Sequence, residues 1–256
     1  MYNVKQEWQR TQLHWDDKST IQSHSVPKSV ILNWRKINRK LQYLCYDKGN
    51  NLVIVDVGCG SGKFYQGLEQ IVDCYIGIDP SDKMLSYATT DEKQFLIRGI
   101  GENLPLNTSI ADVVFLKSVL DQCYSPGQVI SESKRVLKDN GWVIISLSNR
   151  DSYYSFIRKI YNRLRGHEGE HVFESSQLFY FDPSEVENML KKENLRVVKS
   201  ISLGYFVFPR FIQWIIPSRI FLTLIDFADK IGSAILLTGA LINPAGKAER
   251  TLALSG

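Results

Sequence analysis

The chain has 256 residues, 44% of them hydrophobic and 23% charged, with a formal net charge of +4. This is the composition of a folded globular protein, large enough for one big domain or one domain with an elaborated cap, and it excludes a disordered chain. The charge is too mild to demand a nucleic-acid partner, and no uninterrupted apolar run reaches the ~18 residues that span a bilayer.

The N-terminus, Met-Tyr-Asn-Val-Lys-Gln-Glu-Trp, is polar and cannot supply the apolar core of a signal peptide. Cys45, Cys59, Cys74 and Cys123 show no paired spacing, so reduced thiols and a cytoplasmic protein are expected. A helix is expected from near Ser25, with Pro27 in its first turn, to about Cys45. Ile31, Trp34, Ile37, Leu41 and Leu44 recur there at helical spacing, beside a basic face of Arg35, Lys36, Arg39 and Lys40. Residues 1–48 therefore read as a helical cap.

Short apolar runs then alternate with periodic segments. They predict strand 52–57, helix 62–71, strand 74–78, helix 81–89 and strand 94–98. Strand 111–116, a helix from about 126 to 138 and strand 142–148 follow. Ser125-Pro126 supplies a helix start, and Asp139-Asn140-Gly141 a turn. Repeated strand–helix units of this length predict an α/β, doubly wound sheet that is mostly parallel and covered on both faces. Asp182-Pro183-Ser184-Glu185 reads as N-cap, first-turn proline and capping-box acid of a helix to about Lys192. A strand at 195–202, an apolar insertion at 205–232 and a last strand at 234–242 complete the chain. Residues 49–204 are assigned to the core domain, and 205–256 to the insertion plus the strand that completes it.

The most informative stretch is Val-Ile-Val-Asp-Val-Gly-Cys-Gly-Ser-Gly at 53–62. A buried strand ends in Asp56 and breaks into Gly58-x-Gly60-x-Gly62. A dinucleotide fingerprint places its third glycine one residue later, where this chain has Lys63. The alternation suits S-adenosylmethionine (SAM), which carries no phosphate. Gly58 and Gly60 let the backbone turn tightly and approach a ligand. Asp79 ends the second strand about twenty residues on, where a carboxylate accepts ribose hydroxyls from SAM or NAD alike.

The stretch at 53–62 resembles motif I of the class I SAM-dependent methyltransferases, in the branch acting on small molecules such as sugars, glycan precursors and lipids. Gly77-Ile-Asp-Pro-Ser-Asp-Lys-Met-Leu85 resembles the second motif. Arg98-Gly-Ile-Gly-Glu-Asn-Leu-Pro105 with Asp112-Val-Val-Phe-Leu-Lys117 resembles the third and fourth. The resemblance implies a Rossmann-like sheet of seven strands, five parallel with a final antiparallel hairpin. It also implies SAM as cofactor, bound through Asp56, Gly58, Cys59, Gly60, Gly62, Asp79, Pro80, Met84, Ile100, Gly101, Glu102 and Lys117. Met84 suits either the adenine flank or the core. Ile100 stands where many relatives carry an Asp for the adenine amine, which leaves adenine to backbone groups at Ile100 and Gly101 and gives Glu102 a bracing role.

Ser118-Val-Leu-Asp-Gln-Cys123 follows strand 111–116 at the carboxyl end, where open α/β sheets bind ligands. Asp121 is the candidate to steer or deprotonate an acceptor, with helix capping as its other role. His167-Glu-Gly-Glu-His171 matches H-E-x-x-H, but glycines at 166 and 169 break the helix that zinc ligation needs, so no metal is expected. His171 is left as a second candidate base in a polar substrate loop or a solvated one.

At 205–232, Phe206, Phe208, Phe211, Trp214, Ile215 and Ile216 crowd between Arg210 and Arg219. So broad an apolar face needs cover from the core, from a second subunit in a homodimer, or from a membrane surface or lipid-like substrate, which would make the protein peripheral at the membrane. The expected activity is methyl transfer to a small-molecule acceptor, on oxygen or nitrogen. The alternatives are a nucleotide-dependent oxidoreductase, argued against by Lys63, a SAM-binding module without activity, and an RNA methyltransferase, suggested only by basic helix faces at 35–40 and 158–165. Nucleic acid is not an expected partner.

Overall fold

Strands dominate wherever the chain is continuously apolar. The structure, a computed structural model, describes residues 41–46, 48–89, 91–148, 181–203 and 234–241, with Gln9, Leu13, Asp16, Arg35, Asn38, Arg39, Phe179 and Ile220. Its strands are β1 (Leu52–Val57), β2 (Val72–Asp79), β3 (Gln94–Arg98), β4 (Ala111–Lys117), β5 (Leu137–Ser148), β6 (Leu195–Leu203) and β7 (Ala234–Leu241). Its labelled helices are α1 (Asp82–Leu85), α2 (Pro126–Val136) and α3 (Pro183–Lys192). They form one seven-stranded sheet in the order β3-β2-β1-β4-β5-β7-β6. The pairs β2–β3, β1–β2, β1–β4 and β4–β5 are parallel, and β7 runs antiparallel to both β5 and β6. The chain starts in the middle, winds outward to β3, then returns to β4. The strand order therefore reverses between β1 and β4, the place where open α/β sheets bind ligands beyond the carboxyl ends of their strands.

Covering both faces explains the unbroken apolar runs. On one face Val55, Val57, Val114 and Leu116 pack with Val129, Ile130 and Val136 of α2 and Val186 and Leu190 of α3. On the other, Ile54, Val113, Phe115 and Ile144 meet Phe64 and the N-terminal helix through Leu41, Leu44 and Cys45. Residues 41–46 of that helix are described, one residue past the end expected at Cys45. The four cysteines are free thiols.

The helix expected at 62–71 does not form. Only a 3₁₀ turn, Lys63–Tyr65, follows the glycine loop, because Gly62 has φ 66° and offers no side-chain cap, while Gly67 has φ 99°. Both angles lie in the left-handed region, which a right-handed helix cannot accommodate. The carbonyls so freed are met from the N-terminal helix. Gln42 Nε2 donates to Phe64 O at 3.1 Å and Gln66 O at 2.7 Å, and the Tyr46 hydroxyl to Gly67 O at 3.0 Å.

Other boundaries shift less. The helix expected at 81–89 is the four-residue α1, and α2 stops at Val136 rather than 138. β2 begins at Val72, and β5 at Leu137, where the expected turn at 139–141 is instead absorbed by a register shift opposite Ala111/Val113. α3 begins with the expected capping box, Asp182 and Glu185 each accepting the other's backbone N–H. The expected helix start at Ser25 and Pro27, the segment with His167 and His171, and the insertion at 205–232 apart from Ile220 lie outside the described residues. Among the described residues, no helix is long and apolar enough to cross a membrane.

Candidate functional site

The glycine loop turns the chain off β1 in three left-handed steps: φ is 69° at Gly58, 57° at Gly60 and 66° at Gly62. Only glycine takes such angles freely. All three steps are also crowded: a Cβ at Gly62 would stand 2.3 Å from Gln94 Nε2. A Cβ at Gly58 would stand 2.7 Å from Val119 Cγ2, and one at Gly60 3.1 Å from Met84 Cε. The Gly58 and Cys59 N–H groups donate to Ile78 O at 2.7 and 3.1 Å, tying the loop to the end of β2. Cys59 is buried with its sulfur close against Gly77, and burial pushes its thiol pKa up, so it stays a neutral packing group.

Asp79 closes the loop from beneath. Gly60 N–H donates to its Oδ2 at 2.8 Å and Ser81 N–H to its Oδ1 at 2.9 Å. Each carboxylate oxygen has a second lone pair left for a hydroxyl. Burial raises the pKa of Asp79, the two amides pull it down, and the carboxylate of Asp16 raises it again. Asp16 belongs to the N-terminal segment and accepts a hydrogen bond from the Ser81 hydroxyl. Pro80 lies between these groups, and Met84, half-buried in α1, leans over Gly60.

Asp56 is wholly buried behind the loop. The Tyr75 hydroxyl donates to its Oδ2 at 2.5 Å, while its Oδ1 has no hydrogen-bond partner among the described residues. Burial raises its pKa to about 6, against the pull of Lys117 and of the Tyr75 hydrogen bond. Lys117, at the end of β4, is half-buried with Nζ 4.9 Å from the centre of the Phe64 ring and 3.4 Å from Asn38 Oδ1 of the cap.

A second loop follows β3. Gly99 N–H donates to Asp79 O at 3.1 Å, and Ile100 bridges to Asn103, forming a tight turn. Gly101 is buried where a Cβ would meet Val57 and Val129 at 3.1 and 3.2 Å. The Glu102 carboxylate faces the start of α2, accepting from Tyr124 N–H at 2.9 Å and Ser125 N–H at 3.4 Å. Glu132 and Arg135 of α2 grip the same loop: Leu104 N–H donates to Glu132 at 2.8 Å, and Arg135 donates to the Leu104 and Leu106 carbonyls. Asp121 is buried in the loop after β4, with its carbonyl accepting Phe179 N–H at 3.2 Å.

The β1, β2, β3 and β4 loops thus gather Asp56, Gly58, Gly60, Asp79, Met84, Ile100, Gly101, Lys117 and Asp121 at one end of the sheet, while His171 lies outside the described residues. Among the described residues no group of His, Cys, Asp and Glu could hold a metal ion. Sequence reasoning missed Tyr75, Asn38, Asp16 and the Glu132–Arg135 pair. Tyr75, a lone hydroxyl in a buried strand beside an acid-ended one, was the readable signal.

The arrangement fits SAM better than a dinucleotide. Asp79 would take ribose hydroxyls from either ligand, but the buried Asp56 behind the loop suits a ligand with an ammonium and repels a diphosphate. The orphaned Asp56 Oδ1 leaves negative charge behind the loop, and the three-residue 3₁₀ turn provides no helix N-terminus for phosphate.

Residues 55–145 match the family model described as "Methyltransferase domain". The chain is 30% identical over 158 residues to an uncharacterized protein of Methanocaldococcus jannaschii, covering 60% of this chain and 67% of that protein. It is 27% identical over 164 residues to a ubiquinone biosynthesis O-methyltransferase of Nitrosomonas europaea, covering 59% of this chain and 67% of that one. Its fold matches the crystal structure of a SAM-dependent methyltransferase from Thermotoga maritima with a TM-score of 0.58 at 18% identity, over 82% of this chain and 92% of that chain.

Proposed function

This chain belongs to the class I SAM-dependent methyltransferases, and we propose that it methylates an oxygen of a small-molecule acceptor, with Asp121 holding the acceptor's proton. The observation that carries the reading is the loop clamp: three left-handed glycines fixed by one carboxylate, through Gly60 N–H on Asp79. SAM, when bound, supplies a methyl group already activated by its sulfonium. The chain's own work is then alignment, exclusion of water and handling of a proton.

Gly58 and Gly60 present bare backbone to the amino-acid tail. Asp79 accepts the ribose hydroxyls with its remaining lone pairs, and Asp56 sets a negative potential behind the loop. Gly101 and Ile100 border the adenine with main-chain groups, while Glu102, Glu132 and Arg135 hold that loop in place. Two supports favour oxygen as the methylated atom. One is the O-methyltransferase named among the relatives. The other is a buried acid in the loop after β4, since a hydroxyl acceptor benefits from a base and a neutral amine needs none. The cap at 1–48 and the insertion at 205–232 choose the acceptor in this account, the apolar composition of the insertion suiting a lipid-like substrate.

Radiolabelled SAM offered to paired panels of hydroxylated and amino compounds tests the reading. Label should pass to hydroxyls, and Asp121→Asn should lower kcat by about 10²–10⁴ without weakening SAM binding. Label carried only to amines, or an Asp121→Asn enzyme of undiminished kcat, would refute it.

A further inference from the structure

The sheet ends in two edges of different character. β6, at one end, carries the exposed Arg196 beside a register shift at Val197/Lys199, and both a charge and an irregularity keep an edge from pairing further. β3, at the other, reads Gln94-Phe95-Leu96-Ile97-Arg98 and follows β2 without a register shift, with no lysine or proline in the strand. Tyr75 N–H donates to Lys93 O at 2.8 Å and Gly99 N–H to Asp79 O at 3.1 Å, which fixes the alternation along β3. The main-chain groups of Phe95 and Ile97 therefore face β2, while those of Leu96, with Arg98 N–H and Gln94 C=O, face away from the sheet. Among the described residues nothing meets these outward groups. Phe95 is 53% exposed, the one exposed phenylalanine among the described residues.

These open groups are self-complementary. When a second copy is laid antiparallel about Leu96, Leu96 exchanges N–H and C=O with its own counterpart, and Arg98 N–H meets Gln94 C=O on either side. Gln94 N–H is not required, being given already to Asp91 O at 3.1 Å. Phe95 then stands directly opposite Ile97 in a non-hydrogen-bonded pair, where side chains approach most closely, and symmetry makes this contact twice. Charge agrees with the same pairing. Arg98, at one end of the strand, comes to the acidic turn Asp91-Glu92 that precedes Gln94 in the second copy, and no like charges stand opposite each other within the strand.

We propose that β3 is a dimerisation edge, on which two copies of this chain join antiparallel about Leu96 into one continuous sheet. An edge this short makes a modest interface, so the dimer has micromolar affinity. The proposal is independent of the cofactor reading, since it uses the main chain of the edge and the outward ring of Phe95.

Analytical ultracentrifugation of the full chain from about 1 to 500 µM tests it. The sedimenting mass should rise from 29.3 kDa to twice that value. Phe95→Lys, at an exposed position, should weaken association by about tenfold or more while leaving the thermal melt in place. Phe95→Cys and Ile97→Cys proteins, mixed and oxidised where wild type is dimeric, should form a mixed disulfide dimer in preference to a dimer of either protein alone. Wild type that stays at 29.3 kDa throughout overturns the proposal. So does a dimer that Phe95→Lys leaves as tight as before, or one that gives no mixed disulfide, because the contact then lies on another face such as 205–232. If Phe95→Lys fails to fold, the mixed disulfide decides alone.

Discussion

Replacing Asp79 by Ala removes the group on which both the loop and the nucleoside depend. The carboxylate accepts Gly60 N–H at 2.8 Å and Ser81 N–H at 2.9 Å, and its two free lone pairs face the ribose hydroxyls in the account above. A hydrogen bond to a charged group is worth about 1.5–3 kcal/mol, so two such bonds to ribose come to about 3–6 kcal/mol. That is a loss of roughly 10²–10⁴ in affinity for SAM. The two amides left without an acceptor cost about 1–3 kcal/mol each where no water reaches them. Relief from burying a carboxylate offsets part of this, since burial already raises the pKa of Asp79. Thermal unfolding should therefore fall modestly while binding collapses. Isothermal calorimetry with SAM measures the binding, a thermal melt verifies folding, and Asp79→Asn, which keeps one acceptor oxygen, should lie between. A folded Asp79→Ala protein that binds SAM within threefold of wild type would refute the assignment of the ribose to this carboxylate.

Asp56 makes a pH prediction whose sign is fixed by its raised pKa, from 3.8 to about 6. Its contribution to stability is full below pH ~3.8 and is lost as pH rises through about 6, a change of roughly 3 kcal/mol. Asp56→Asn, which still accepts from Tyr75, should gain stability relative to wild type between pH 4 and 7 by chemical denaturation; a gap independent of pH contradicts this. Gly58→Ala forces φ 69° on an L-residue and sets its Cβ 2.7 Å from Val119, so a loss of about 2 kcal/mol or more and weakened SAM binding are expected by the same melt and titration. Unchanged values would mean the loop is not held as described. Glu102→Ala leaves the Tyr124 and Ser125 amides without their carboxylate and should cost about 1–3 kcal/mol in a denaturant titration. A larger loss in kcat than in stability would instead put Glu102 in the chemistry.

What could be read from the chain was whatever depends on short-range pattern. β1 and β3 fall on the residues expected because a run such as Leu52–Val57, buried at all but one position, has no other economical conformation. The capping box at Asp182 and the proline start of α2 are likewise local chemistry. The segment after the glycine loop was misread because Phe64, Leu68 and Ile71 recur at helical spacing and are buried, yet Gly67 in the left-handed region breaks the turn between them. That glycine was the warning. The site residues at this end of the sheet were legible by type: an acid near the end of β1, an acid closing β2, glycines between. Their partnerships were not, because they join distant segments. Asn38 meets Lys117 across 79 positions and Asp16 meets Ser81 across 65, and nothing in either local sequence announces the other.

The central claim is that the turn at Gly58, Gly60 and Gly62 receives an amino-acid tail joined to a nucleoside. A crystal structure with S-adenosylhomocysteine tests it most directly. The account predicts the ribose on Asp79, the tail against the Gly58–Gly60 backbone and the adenine beside Ile100 and Gly101. Density for the ligand elsewhere, with these groups bare, would contradict it.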